Sequence, residues 1–137
     1  MQEFAVRTRS RTEMIDITSN VRAAIREEGI GDGVCIVYCP HTTAAVTIQE
    51  NADPDVVADL LKELNKIVPF DGGYRHSEGN SAAHIKSSVL GASEMLIVEG
   101  GRPVLGTWQA VYFCEFDGPR SRRVIVKSCS SDQGTSQ

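Results

Sequence analysis

The chain has 137 residues, 41% hydrophobic and 23% charged, with a formal net charge of −4. That length suits one domain burying roughly two-thirds of its unfolded surface, so no disulfide framework is required. The acidic balance argues against broad nucleic-acid binding, which neutralises many phosphates with Lys and Arg. The first twenty residues are charged throughout and hold neither a secretory apolar run nor a spanning helix, which points to a cytoplasmic protein without a membrane partner.

From the start, Phe4, Val6, Met14, Ile15 and Ile17 alternate with Arg and Thr, which predicts one or two half-buried strands over Glu3 to Ile17, split near Ser10. Val21, Ala24 and Ile25 share a face of a helix over Thr18 to Glu28, with Thr18 or Ser19 as cap and Gly29 as terminator. Gly29-Ile-Gly-Asp-Gly33 has dinucleotide-loop composition but precedes a strand, so it reads as a turn. Val34 to Cys39 is apolar at every position, and both faces of that strand call for cover by a second layer or another subunit. After Pro40-His41-Thr42-Thr43, the alternation of Val46 and Ile48 with Thr47 and Gln49 predicts a strand with one wet face.

Asp53 before Pro54 is a helix start, and Val57, Leu60, Leu61 and Leu64 carry what should be the longest helix to a stop at Pro69. A polar loop over Phe70 to Gly79 holds His76. Asn80 or Ser81 can then cap a helix over Ala82 to Leu90 with His84 in its first turn. The last third reads as strands: Met95 to Glu99, a short piece near Val104, Trp108 to Phe116 and Arg122 to Cys129. The domain therefore spans 1–129, and the polar stretch 130–137 is expected to fray. Cys35, Cys39, Cys114 and Cys129 form no Cys-x-x-Cys pair and read as packed thiols, with Cys39 closest to a histidine.

The chemistry-bearing residues gather around three histidines, two of them in the stretch Tyr74 to Lys86. Imidazole titrates near neutrality and is the commonest metal ligand. Their spacing is no local metal signature, and on residues alone scattered histidines, with His84 serving a helix start, stand against a shared site. Asp53 reads as a cap before it reads as a catalyst. Glu50, Asn51 and Asn80 have equally local alternatives at a strand end and a helix start. On the Trp108 to Phe116 strand, Gln109 and Glu115 fall on one face about 20 Å apart, too far to serve one small site in one subunit. Trp108 reads as a packing residue. Arg122 and Arg123 suit a solvated strand edge, whereas Arg120, held after Pro119, suits a phosphate contact.

His41-Thr-Thr-Ala-Ala-Val-Thr-Ile-Gln-Glu-Asn-Ala-Asp53, the Tyr74-Arg-His to Ala-Ala-His84-Ile block, Gly106-Thr-Trp-Gln109 and Glu115-Phe-Asp-Gly-Pro-Arg120 together resemble the YjbQ-like family over nearly the whole chain. The resemblance implies an α+β fold, a mostly antiparallel sheet or sandwich with about three helices, assembled as a homotrimer. It also implies a secondary thiamine-phosphate synthase activity that joins a hydroxymethylpyrimidine diphosphate to a thiazole phosphate and releases pyrophosphate. On this reading His41, His76 and His84 converge as ligands of a divalent metal, zinc or magnesium, or as a catalytic cluster. Glu50, Asn51 and Asp53 give catalytic support, and Asn80, Gln109 and Arg120 bind the phosphorylated substrate. Metal-assisted hydrolysis of a small phosphorylated metabolite and a non-enzymatic metal- or anion-binding trimer are the alternatives.

Overall fold

The computed structural model describes residues 1–131. Two antiparallel sheets face each other. One has five strands in the order β1, β8, β3, β5, β6, where β1 is Gln2–Arg7, β3 Gly33–Tyr38, β5 Ser93–Glu99, β6 Arg102–Pro103 and β8 Ser121–Ser130. The other has three, β2 (Glu13–Asp16), β7 (Gln109–Glu115) and β4 (Ala44–Glu50), with β7 central. Alternation along the strands builds the core between them: Val37 and Cys35 on β3 and Val124 and Val126 on β8 meet Val46 on β4 and Val111 and Phe113 on β7. Helix α1 (Thr18–Glu28) adds Val21, Ala24 and Ile25 to that core.

The other face of the three-stranded sheet is covered by α2 (Pro54–Ile67) and α3 (Ser81–Leu90). There Ala45, Ala110, Tyr112 and Cys114 pack with Ala83, Val57, Leu64 and Leu90. The face of β4 expected to be wet is thus largely helix-covered, with Thr47 half-buried and Gln49 exposed. The outer face of the five-stranded sheet is bare within this chain. Ile36 and Tyr38 on β3, predicted to be covered on both faces, are 40% and 44% exposed, beside Met95 and Ile97 at 64% and 63%.

The elements of the last third all appear, the short piece near Val104 as β6. The caps differ more. Asp53 accepts the Asp55 amide at 2.9 Å and Gly29 ends α1 at φ 74°, as expected. At the start of α1, however, Asp16 accepts the Thr18 amide at 2.9 Å, while the Thr18 hydroxyl takes the Val111 amide. Asn80 is the N-cap of α3 by position, but its side chain makes no cap bond. Cys35, Cys39 and Cys114 are buried and Cys129 is exposed. Burial pushes the Cys114 thiol up to about 12 and that of Cys35 to about 11. Of the expected frayed tail, Ser130 ends β8 and the Ser131 amide bonds Asp32 at 2.9 Å, while 132–137 lie outside the described residues. No helix among the described residues is long and apolar enough to cross a membrane.

Candidate functional site

At one end of the β4–β7 pair, the connection Pro40-His41-Thr42-Thr43, the loop bearing His76, the start of α3 and the turn after β7 enclose a cleft of about 490 Å³. All three histidines line it. His76 and His84 stand edge to face with ring centroids 5.5 Å apart, and His76 Nε2 is 3.7 Å from Glu78 Oε1. His41 is set by the backbone of β8: its Nε2 lies 3.0 Å from the Arg123 amide nitrogen and 3.2 Å from the Arg123 carbonyl. Its ring meets the buried Phe113 edge-on at 6.4 Å. Burial, reinforced by the charge of Arg122, pushes the imidazole below its ordinary value of 6.5, so His41 is neutral at pH 7.

The floor of the cleft is an ion pair that sequence reasoning missed. Arg122 is 6% exposed and Glu115 is fully buried. Glu115 accepts from Arg122 Nε at 2.8 Å and also from its terminal nitrogen, and it takes the Thr8 hydroxyl at 2.7 Å and the Asp117 amide at 3.0 Å. Arg122 reaches on to the Thr43 hydroxyl at 2.8 Å. Burial alone would raise the Glu115 pKa, but the bonds from Arg122, Asp117 and Thr8 hold it below the ordinary carboxylate range. Glu115 ends β7 in one sheet and Arg122 lies on β8 in the other, so the pair joins the two sheets at this end. Gly118 belongs to the same arrangement: a Cβ there would sit 2.3 Å from the Ser10 carbonyl and 2.9 Å from the Thr8 hydroxyl. Arg122 was expected at a solvated edge, but β8 is an interior strand between β1 and β3, and alternation turns Arg122 inward with Val124 and Val126. That alternation was the available signal.

Asn80 and Arg120 line the cleft too, both braced on Asp117. Asn80 Nδ2 donates to Asp117 Oδ2 at 2.8 Å, and Arg120 donates to the same oxygen at 3.0 Å and to the Asp117 carbonyl at 2.9 Å. Burial works against the charge of Asp117, but these bonds keep its pKa low. Asn80 Oδ1 is buried and has no partner among the described residues, which marks a place for a donor.

The other named residues lie at the far end of the same strands. Asn51 donates to Asp16 at 3.3 Å, Asp53 caps α2, the Glu50 carbonyl accepts from Tyr112 at 3.1 Å and Gln109 Oε1 accepts the Gly106 amide at 2.8 Å. None of the four lines the histidine cleft. The reason is the pleat, since seven residues of β4 at about 3.3 Å each separate the two ends. Trp108, expected to pack, is 62% exposed. Among the described residues no three His, Cys, Asp or Glu side chains lie close enough to hold a metal ion. His41, His76 and His84 therefore share the cleft without forming a chelating set, and His41 Nε2 is taken up by the Arg123 backbone.

The model of the UPF0047 protein YjbQ-like family matches residues 2–131. The chain belongs to the YjbQ-like family. It is 53% identical over 128 residues to the UPF0047 protein YugU of Bacillus subtilis, covering 93% of this chain and 97% of that one. It is 47% identical to the UPF0047 protein MJ1081 of Methanocaldococcus jannaschii, covering 91% of each. Among solved structures, an uncharacterized YjbQ/UPF0047 family protein from Clostridium acetobutylicum superposes with a TM-score of 0.92 at 52% identity, covering 94% of this chain and 100% of that one. The hypothetical protein APE1520 from Aeropyrum pernix gives 0.90 at 35% identity, with coverage of 95% and 98%. The α+β fold is thus the family's. These relatives carry no activity in their descriptions, so the function of the family is poorly characterised.

Proposed function

We propose that the histidine cleft is the active site of a transferase acting on a small phosphorylated metabolite, with thiamine-phosphate synthesis as a secondary activity. The observation that carries this reading is the convergence of three imidazoles and the Arg120 guanidinium on one cleft, above the buried Glu115–Arg122 pair. In the reaction, a C–O bond between the pyrimidine methyl group and its diphosphate breaks, and the thiazole nitrogen of the second substrate forms the new C–N bond. No proton need be removed from that nitrogen. The barrier is charge development on the departing pyrophosphate, which positioned cations and N–H donors lower. Arg120 is the phosphate contact, His76 and His84 stand where they can donate to departing oxygens, and neutral His41, whose Nε2 takes the Arg123 amide, has Nδ1–H as a further donor. Arg122 is occupied by Glu115 and sets the floor.

A zinc or magnesium ion held by His41, His76 and His84 is a separate proposal, because these side chains do not stand close enough to hold one as they are placed; no step above is routed through it. Metal content of purified protein, compared with His41→Ala, His76→Ala and His84→Ala variants, tests it, and unchanged content in every variant would remove it. Homotrimer assembly is likewise proposed, supported by the bare apolar face of Ile36, Met95 and Ile97. Ile97→Glu is expected to lower the mass in sedimentation, and an unchanged mass would place any interface elsewhere. The transferase reading is tested by pyrophosphate release with both precursors. Release of phosphate or pyrophosphate from the pyrimidine diphosphate alone would favour the hydrolase instead.

A further inference from the structure

A second cleft, of about 720 Å³, opens between the C-terminal half of α1 and the turn from β5 to β6, and shares no residue with the histidine cleft. Three guanidiniums line it, those of Arg22, Arg26 and Arg102. All three side chains are exposed, and none forms an ion pair or side-chain hydrogen bond among the described residues, so their donors are free for a ligand.

The nearby acids are otherwise engaged or stand off. Glu28 holds the N-terminal amine and the Ser128 amide, and Asp32 accepts the Gly100 amide. Asp16, which feels the charge of Arg22, is bonded to Thr18 and Asn51. Glu99 is the cross-strand partner of Arg102 but makes no ion pair with it. Arg26 sits in the last turn of α1, where a cation complements the helix dipole. That accounts for one arginine of the three. Arg22 lies one turn earlier on the same face, and like charges at that spacing repel.

The walls suit a ligand. Gly100 and Gly101, at φ 59° and 77°, turn the chain between β5 and β6 without side chains, so the rim there is bare backbone. Ile30, partly buried against the core, and Pro103 line the cleft beside its charged rim. Its volume matches a small molecule rather than a peptide. Guanidinium forks pair with phosphate oxygens two bonds at a time, and three of them match the charge of a di- or triphosphate.

We propose that the Arg22–Arg26–Arg102 cleft binds a small molecule bearing a di- or triphosphate, at a site separate from the histidine cleft. Titration of uniformly ¹⁵N-labelled protein with inorganic tripolyphosphate, followed by amide resonances, locates the binding directly. The expected result is a saturable shift of the Ile30, Gly101 and Arg102 amides. It should persist in the His84→Ala variant and weaken at least about tenfold, a loss of about 1.4 kcal/mol, in Arg22→Ala/Arg102→Ala. The same spectra report whether the double variant is folded; if it is not, the single Arg22→Gln variant gives the comparison. A shift that never saturates, that spreads evenly over Lys and Arg amides, or that survives loss of the arginines unchanged would overturn the proposal. Because the readout is local, failure of the histidine cleft to turn over substrate leaves this result untouched.

Discussion

The two ends of the β4–β7 pair carry polar residues of the same kinds and use them differently. At the Glu50 end, Asn51, Asp53 and Gln109 each satisfy a group nearby, a carboxylate or a main-chain amide. At the Thr43 end, the polar groups come from five segments and converge, first on the buried Glu115–Arg122 pair and above it on a cleft with an unsatisfied Asn80 oxygen. Polar residues in a loop become a site when the groups beneath them are satisfied by one another, leaving the upper layer free for a ligand.

Removal of the buried pair has the largest expected effect. Arg122→Ala leaves the Glu115 carboxylate without its main partner inside the protein and is expected to cost about 3–5 kcal/mol in urea unfolding. A loss well under 1 kcal/mol would mean that the two sheets are not joined there. Acid tests the same layer without mutation. The folded pKa values of Glu115 and Asp117 are depressed, so their contribution is present above the ordinary values of 4.5 and 3.8 and is lost as pH falls through the depressed ones. Glu115→Gln should flatten the stability curve in that acid window; an unaltered acid limb would assign it to other carboxylates. At the far end the effect is smaller. Asp53→Ala should cost about 1 kcal/mol by loss of the α2 cap and leave pyrophosphate release unchanged. A fall in turnover with intact stability would instead mean that a neighbouring copy brings the Glu50 end to the cleft.

Those differences mark how far the sequence was legible. Alternation, the continuous apolar run of β3, the helix periodicity of α1 and α2 and the start signal of α3 placed these elements to within a few residues, because each signal is local. Alternation also carried Arg122 inward, but a reading of basic residues as solvated edge overrode it, since strand order is a tertiary property that no local pattern records. Lys86 was missed for a related reason. It is fully buried, bonded to Asn65 and 4.3 Å from the Phe70 ring centroid, in a pocket assembled from three separate segments. The histidines were found by residue type and by family resemblance. Their shared cleft follows from connections, not spacing: the β3–β4 connection and the loop before α3 meet only in the folded chain.

On the proposed reading, the three histidines and Arg120 act together on a diphosphate. Its most direct test is the rate of pyrophosphate release with hydroxymethylpyrimidine diphosphate and thiazole phosphate, for the wild-type protein and for His41→Ala, His76→Ala and His84→Ala. Release should require both substrates and fall by about 10²–10⁴-fold in each variant, with stability held within about 0.5 kcal/mol for His76→Ala. Release at the wild-type rate in all three variants would contradict the assignment.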